Sequence, residues 1–151
     1  TKGEAKGEVY MKIKLVSPNA VVPTYGSKCA AGMDLYSSDT YSIAPGETVL
    51  VHTGISMEIP DGYYGAIYPR SGLATKRGLR LANCVGVVDS DYRGEILVAL
   101  YNDSDSVQTV DIHDRIAQLV IQPCLRPQKL ETVTDLTPTA RASGGFGHTG
   151  K

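Results

Sequence analysis

No stretch of ten residues in this chain keeps the 3.6-residue apolar period of an amphipathic helix, and that absence narrows the folds open to it. Apolar residues come instead in short runs rich in Val, Ile and Tyr: VYMKIKLV, TVLVHTGISMEI, YYGAIY, EILVALY, VQTVDI, RIAQLVIQ and KLETV. β-Branched and aromatic side chains suit a pleated, half-buried surface, and the chain holds nine tyrosines to add to its valines and isoleucines. Between the runs stand Ala44-Pro45-Gly46, Pro60-Asp61-Gly62 and Asn102-Asp103-Ser104, which supply turn geometry or local side-chain hydrogen bonds. The spacing predicts an all-β sandwich or barrel with one short helix, starting near Ser71.

A chain of 151 residues, 42% of them hydrophobic, can bury one real core. Neither an internal repeat nor a linker divides it, and the β domain is expected over residues 11–140. Residues 1–10 open with the polar string TKGEAKGE. They are expected to be a flexible tail or a cloning remnant, since Met11 can serve as a natural start. The other end, RASGGFGHTG at 141–150, has glycine at four of ten positions and Phe146 as its one large apolar residue. Such a segment cannot offset its ordering entropy by burial, so 141–151 is expected to stay mobile until something holds it.

Charge and sulfur content exclude several classes. Lys plus Arg number 15 against 16 Asp plus Glu, so no basic excess exists to bind nucleic acid by counterion release. Phosphate recognition, if present, is local. Cys29, Cys84 and Cys124 are odd in number and far apart, which fits a reducing compartment. His52, His113 and His148 are isolated, so a metal in use is expected to be oxygen-liganded. No apolar run reaches membrane length, and the expectation is a soluble intracellular protein, cytoplasmic or, in a eukaryote, nuclear, with no membrane partner.

Five polar or glycine-rich segments interrupt the apolar runs: AGMDLYSS at 31–38, PRSGLATKRGL at 69–79, NCVGVVDSDYRGE at 83–95, DRIAQL at 114–119, and the tail. In order and separation they resemble the five motifs of the trimeric dUTP pyrophosphatases (dUTPases), from about Met11 to Gly150. The resemblance implies a jelly-roll-like β fold, a homotrimer with active sites shared between subunits, and Mg²⁺ as cofactor. It implies hydrolysis of dUTP to dUMP and pyrophosphate, which limits uracil incorporation into DNA and supplies dUMP for thymidylate synthesis.

The residues themselves fit that chemistry, each with a plainer role beside it. Ser71 before a short helix reads as an N-cap whose first turn offers N–H groups to an anion; Arg70 would add charge and Gly72 close approach. PRSG alone reads more readily as a simple capped turn. Asp89 ends the apolar GVV run, where partial desolvation would suit a general base; the resemblance makes it the activator of the water that attacks the α-phosphorus. The segment around it reads as a hairpin with acids at the tip, Asp91 being a turn former. Tyr92, read on the returning strand, can lie flat beneath a sugar and exclude a 2′-hydroxyl, or pack across strands. By resemblance Asn83 presents its amide to uracil and Val88 borders the substrate.

Asp34, read in a small-residue loop, would repel a triphosphate unless a cation intervened, and by resemblance it touches the water shell of a Mg²⁺ carried mainly by the substrate phosphates; pairing an arginine is its plainer role. Gln118 lies among apolar neighbours, so its buried amide would need a phosphate oxygen or a strand carbonyl as partner. In the tail, Arg141 offers a bidentate donor to a terminal phosphate and Phe146 a stacking face for the base, with Gly147 beside it. Closure of the tail would expel water. His148 stands where the family has a small hydroxyl residue and is left without a role. Two rivals are a dCTP deaminase of the same fold family, against which the complete tail argues, and a non-catalytic β-barrel module that only retains nucleotide.

Overall fold

The computed structural model describes residues 10–146. Among these, strands β1 (Lys12–Leu15), β2 (Thr24–Tyr25), β3 (Met33–Tyr36), β4 (Tyr41–Ile43), β5 (Thr48–His52), β6 (Ile55–Glu58) and β7 (Tyr63–Pro69) come first. Helix α1 (Ser71–Arg77) is next, then β8 (Leu79–Leu81), β9 (Gly86–Val88), β10 (Leu97–Asn102), β11 (Gln108–Val110) and β12 (Arg115–Pro123). The expected all-β architecture with one short helix is what forms. A five-stranded sheet runs β2-β3-β12-β7-β9 and a three-stranded one β5-β10-β8, with β1-β6 and β4-β11 as two-stranded ribbons. Every pairing is antiparallel.

Alternation places the core. In β10, Val98, Leu100 and Asn102 point inward while their neighbours do not. They meet Val51, Leu79 and Leu81 from the same sheet, Leu35 and Leu119 from the large sheet, and Ile43 and Val110 from the β4-β11 ribbon. Strand β12 breaks the alternation: a register shift against β3 between Arg115 and Ala117 lets Ile116 and Ala117 both be buried. Glycine is required where β7 crosses this core. A Cβ on Gly65 would stand 2.9 Å from Leu119 Cδ1 and 3.0 Å from Ile59 Cδ1.

Buried polar groups are all bonded among the described residues. Asn102, wholly buried, donates to the Ile43 and Ser106 carbonyls at 2.9 and 2.8 Å and accepts from the Ser104 N–H and hydroxyl. It thereby ties the end of β10 to β4, a use of a buried amide that leaves no desolvated group unpaired.

The structure corrects several local expectations. MDLY, read as part of a loop, is strand β3, paired to β12 on one side and β2 on the other. The run TVLVHTGISMEI divides at Thr53-Gly54: β5 joins β10 and β6 joins β1. Gly54 has a φ of 70°, which makes the bend. KLETV forms no strand, and from Cys124 to Phe146 the chain has neither strand nor helix. No hairpin joins β9 to β10; β9 pairs with β7, and β10 with β5 and β8. Ser71 is the first helical residue and not the cap: Arg70 holds that position, without a side-chain capping bond.

Candidate active site

Strand β9 ends in a tight turn. The Tyr92 N–H donates to the Asp89 carbonyl at 3.1 Å, and Arg93 Nη1 donates to the Ser90 carbonyl at 2.7 Å. This turn carries one wall of a cavity of about 200 Å³ lined by Asn83, Gly86, Val88, Asp89, Tyr92 and Ile96, among others. Tyr92 is therefore on a turn, and its ring folds back across Gly94 instead of projecting from a strand. A Cβ at Gly94 would lie 2.5 Å from the Tyr92 hydroxyl oxygen, so only glycine leaves the ring that place. The hydroxyl donates to the Glu95 carbonyl at 2.8 Å.

Asp89 opens onto solvent beside the buried Val88. The partial desolvation expected of it is absent in the single subunit, because Asp89 stands past the last paired residue of β9. None of the described residues bonds its carboxylate, which leaves both oxygens free to accept a proton. Asn83 is exposed at the cavity rim, with Nδ2 close to Gly86. Of the charged residues around this cavity, Asp89 and Glu95 are acids and none is a cation.

A second cavity, of about 370 Å³, has the opposite chemistry. Asp34, Arg70, Ser71, Gly72 and Gln118 line it together with the small residues near Gly26 and Gly32. Strand pairing sets Asp34 directly across from Gln118. Asp34 Oδ1 lies 3.4 Å from Arg70 Nε and Oδ2 lies 3.7 Å from Arg115 Nη1, so the plainer expectation for it, an arginine pair, is realised twice over. Arg70 also donates to the Arg115 carbonyl at 3.2 Å. Two guanidiniums against one carboxylate leave the cluster net positive. Gln118, half-buried, donates to the Pro69 carbonyl at 3.1 Å and nestles against Gly32, where a Cβ would come within 3.2 Å of its side chain. Space around the Cβ position of Gly72 is open.

These two cavities share no lining residue, and the described tail residues, 141–146, reach neither. Arg141 bonds within its own turn, Nε to the Gly144 carbonyl at 2.8 Å, and Phe146 is fully exposed. Gly147 and His148 lie outside the described residues. Three contributors escaped the sequence reading: Arg115, Gly94 and Glu95. All three stand inside the motif segments, and the signal was proximity: an arginine opening the strand that carries Gln118, and a glycine and an acid just after a tyrosine.

No group of three or more His, Cys, Asp or Glu that could hold a metal occurs among the described residues. A single carboxylate, Asp34, in a phosphate-suited cavity fits only a cation that keeps most of its ligands from water and substrate, as Mg²⁺ does. Among the described residues no helix is long and apolar enough to cross a membrane.

The dUTPase family model matches residues 18–150. The deoxyuridine 5′-triphosphate nucleotidohydrolase of Nautilia profundicola is 47% identical over 141 residues, covering 93% of this chain and 99% of the relative. The structure of Staphylococcus bacteriophage 80alpha dUTPase with dUpNHpp superposes with a TM-score of 0.88 at 28% identity, covering 94% of this chain and 99% of that one. A mutant dUTPase from phage phi11 of S. aureus, whose structure details the coordination of a structural Mg(II) ion, gives 0.76 at 27% identity, covering 84% and 98%.

Proposed function

The chain belongs to the dUTPase family, and from that premise we propose that it hydrolyses dUTP to dUMP and pyrophosphate at a site completed between copies of itself. The observation that carries the second half is electrostatic. The cavity around Asp89 holds two carboxylates and no cation, so a triphosphate beside it would be repelled unless positive charge came from outside. The Arg70 cavity supplies that charge, but its one carboxylate, Asp34, is already paired to arginines. Seating the Arg70 cavity of one copy against the Asp89 cavity of the next joins both halves.

In that arrangement Asn83 and the backbone at the start of β9 meet uracil, and Val88 packs beneath. The Tyr92 ring occupies the space a 2′-hydroxyl would need. Arg70, with the N–H groups of Ser71 and Gly72, takes the phosphate chain. Asp89 accepts a proton from water as that oxygen bonds to the α-phosphorus, and the bond to the bridging oxygen of pyrophosphate breaks. Gln118 donates to a phosphate oxygen or to the attacking water. When bound, Mg²⁺ shields the phosphate oxygens and draws charge from the leaving group. The Asp34 carboxylate would meet its water shell while holding Arg70 in position.

Arg141, Phe146 and Gly147 would close over the nucleotide, Arg141 on the terminal phosphate and Phe146 on the base. A homotrimer is the assembly that the resemblance implies. Leu125, Leu130, Val133 and Leu136, exposed along a segment without strand or helix, are the apolar surface one copy leaves for another to cover. The cellular consequence is a low dUTP level, hence little uracil in DNA, and a supply of dUMP for thymidylate synthesis. Chromatography of products from dUTP, UTP, dTTP and dCTP, with and without Mg²⁺, tests the reading. dUMP and pyrophosphate from dUTP alone are expected. Ammonia from dCTP would make the chain a deaminase, and binding without turnover would make it a retention module.

A further inference from the structure

Selection of deoxyribose by Tyr92 demands a ring that does not give way, because a ring free to swing would admit a ribonucleotide. The ring is not buried; Tyr92 is 44% exposed. What holds it is its hydroxyl, bonded to the Glu95 carbonyl. Residue 95 is in turn fastened to the bend between β5 and β6. One oxygen of its carboxylate accepts from the Gly54 N–H at 2.8 Å and the other lies 2.9 Å from His52 Nδ1. Next along the chain, the Ile96 N–H donates to the Ile55 carbonyl at 2.8 Å and its carbonyl accepts from the Thr53 hydroxyl at 2.6 Å. The bend itself is closely packed. A Cβ on Gly54 would fall 2.8 Å from Ser17 and 2.9 Å from Ala20.

We infer that Glu95 is a positioning residue for sugar selection, clamping the Tyr92 ring to the β5–β6 bend through His52 and Gly54. This rests on the reading of Tyr92 as the sugar gate. Glu95 lines the same cavity as Asp89, yet both its oxygens are already engaged, so it is not a second base. The chemistry belongs to Asp89, whose carboxylate is free, and the discrimination belongs in part to a group that need not touch substrate.

The test compares kcat/KM for dUTP and UTP in the Mg²⁺-loaded full-length protein and three variants. Glu95→Ala is expected to narrow the preference for dUTP about tenfold, the worth of a lost hydrogen-bonded anchor. Glu95→Gln should stay within about threefold of the parent, because its amide can donate to His52 Nδ1 while its oxygen accepts from Gly54. Tyr92→Phe keeps Glu95 fastened to the bend but removes the hydroxyl that ties the ring to it, and is expected to narrow the preference as Glu95→Ala does; it tests that tether if Glu95→Ala fails to fold. An undiminished preference in Glu95→Ala, or in Tyr92→Phe, overturns the positioning role. A parent that turns over UTP as readily as dUTP instead removes the gate, and the proposal with it.

Discussion

At the scale of single residues, position in the cavity decides more than residue type. Asp89 and Glu95 are both acids on one wall, but only Asp89 has a carboxylate unclaimed by the protein. Asp89→Asn should bind dUTP nearly as well as the parent and lose at least about a hundredfold in kcat, measured by single-turnover kinetics against nucleotide affinity. Gly65, which lines neither cavity, offers a stability test. Its substitution by Ala pushes a methyl into Leu119, Ile59 and Val88, and a loss of about 1–3 kcal/mol is expected from denaturant unfolding. Residue types were readable in advance: an acid after an apolar run, an arginine before a helix, an amide among aliphatics. Their partners were not. That Asp34 faces Gln118 and is bracketed by Arg70 and Arg115 depends on pairing between strands far apart in the chain, which local pattern does not encode.

Among elements, the short runs announced strands well and their pairing badly. GVVDSDYRGEILVALY reads as a hairpin because two apolar runs flank a turn, yet β9 lies beside β7 and β10 beside β5 and β8. The turn at Asp89–Tyr92 does form, but beyond it the chain crosses to another sheet. Likewise KLETV has strand composition but no partner among the described residues, and composition without a partner leaves a strand unmade. The tail is the element whose removal separates stability from catalysis. Ending the chain after Ala140 should leave the melting temperature within a few degrees, since Arg141 to Phe146 bury almost nothing, while turnover falls about tenfold or more. Amide exchange on 141–146 should slow when a non-hydrolysable dUTP analogue and Mg²⁺ are added. Equal rates would assign Arg141 and Phe146 another task.

The whole molecule is where the sequence said least on its own, since assembly was implied by resemblance and not by any residue pattern. If the site is shared as proposed, sedimentation should find a trimer, and dilution to monomer should abolish turnover. An active monomer would refute the shared site. The division of charge between the two cavities also has a genetic reading. A copy defective in Asp89 still carries a sound Arg70 cavity, and a copy defective in Arg70 still carries a sound Asp89. Each variant alone should be dead. Unfolded and refolded together in equal amounts, they should regain about a quarter of the parent's turnover, the share of junctions that unite two intact halves. Two faulty alleles would then complement each other in one cell.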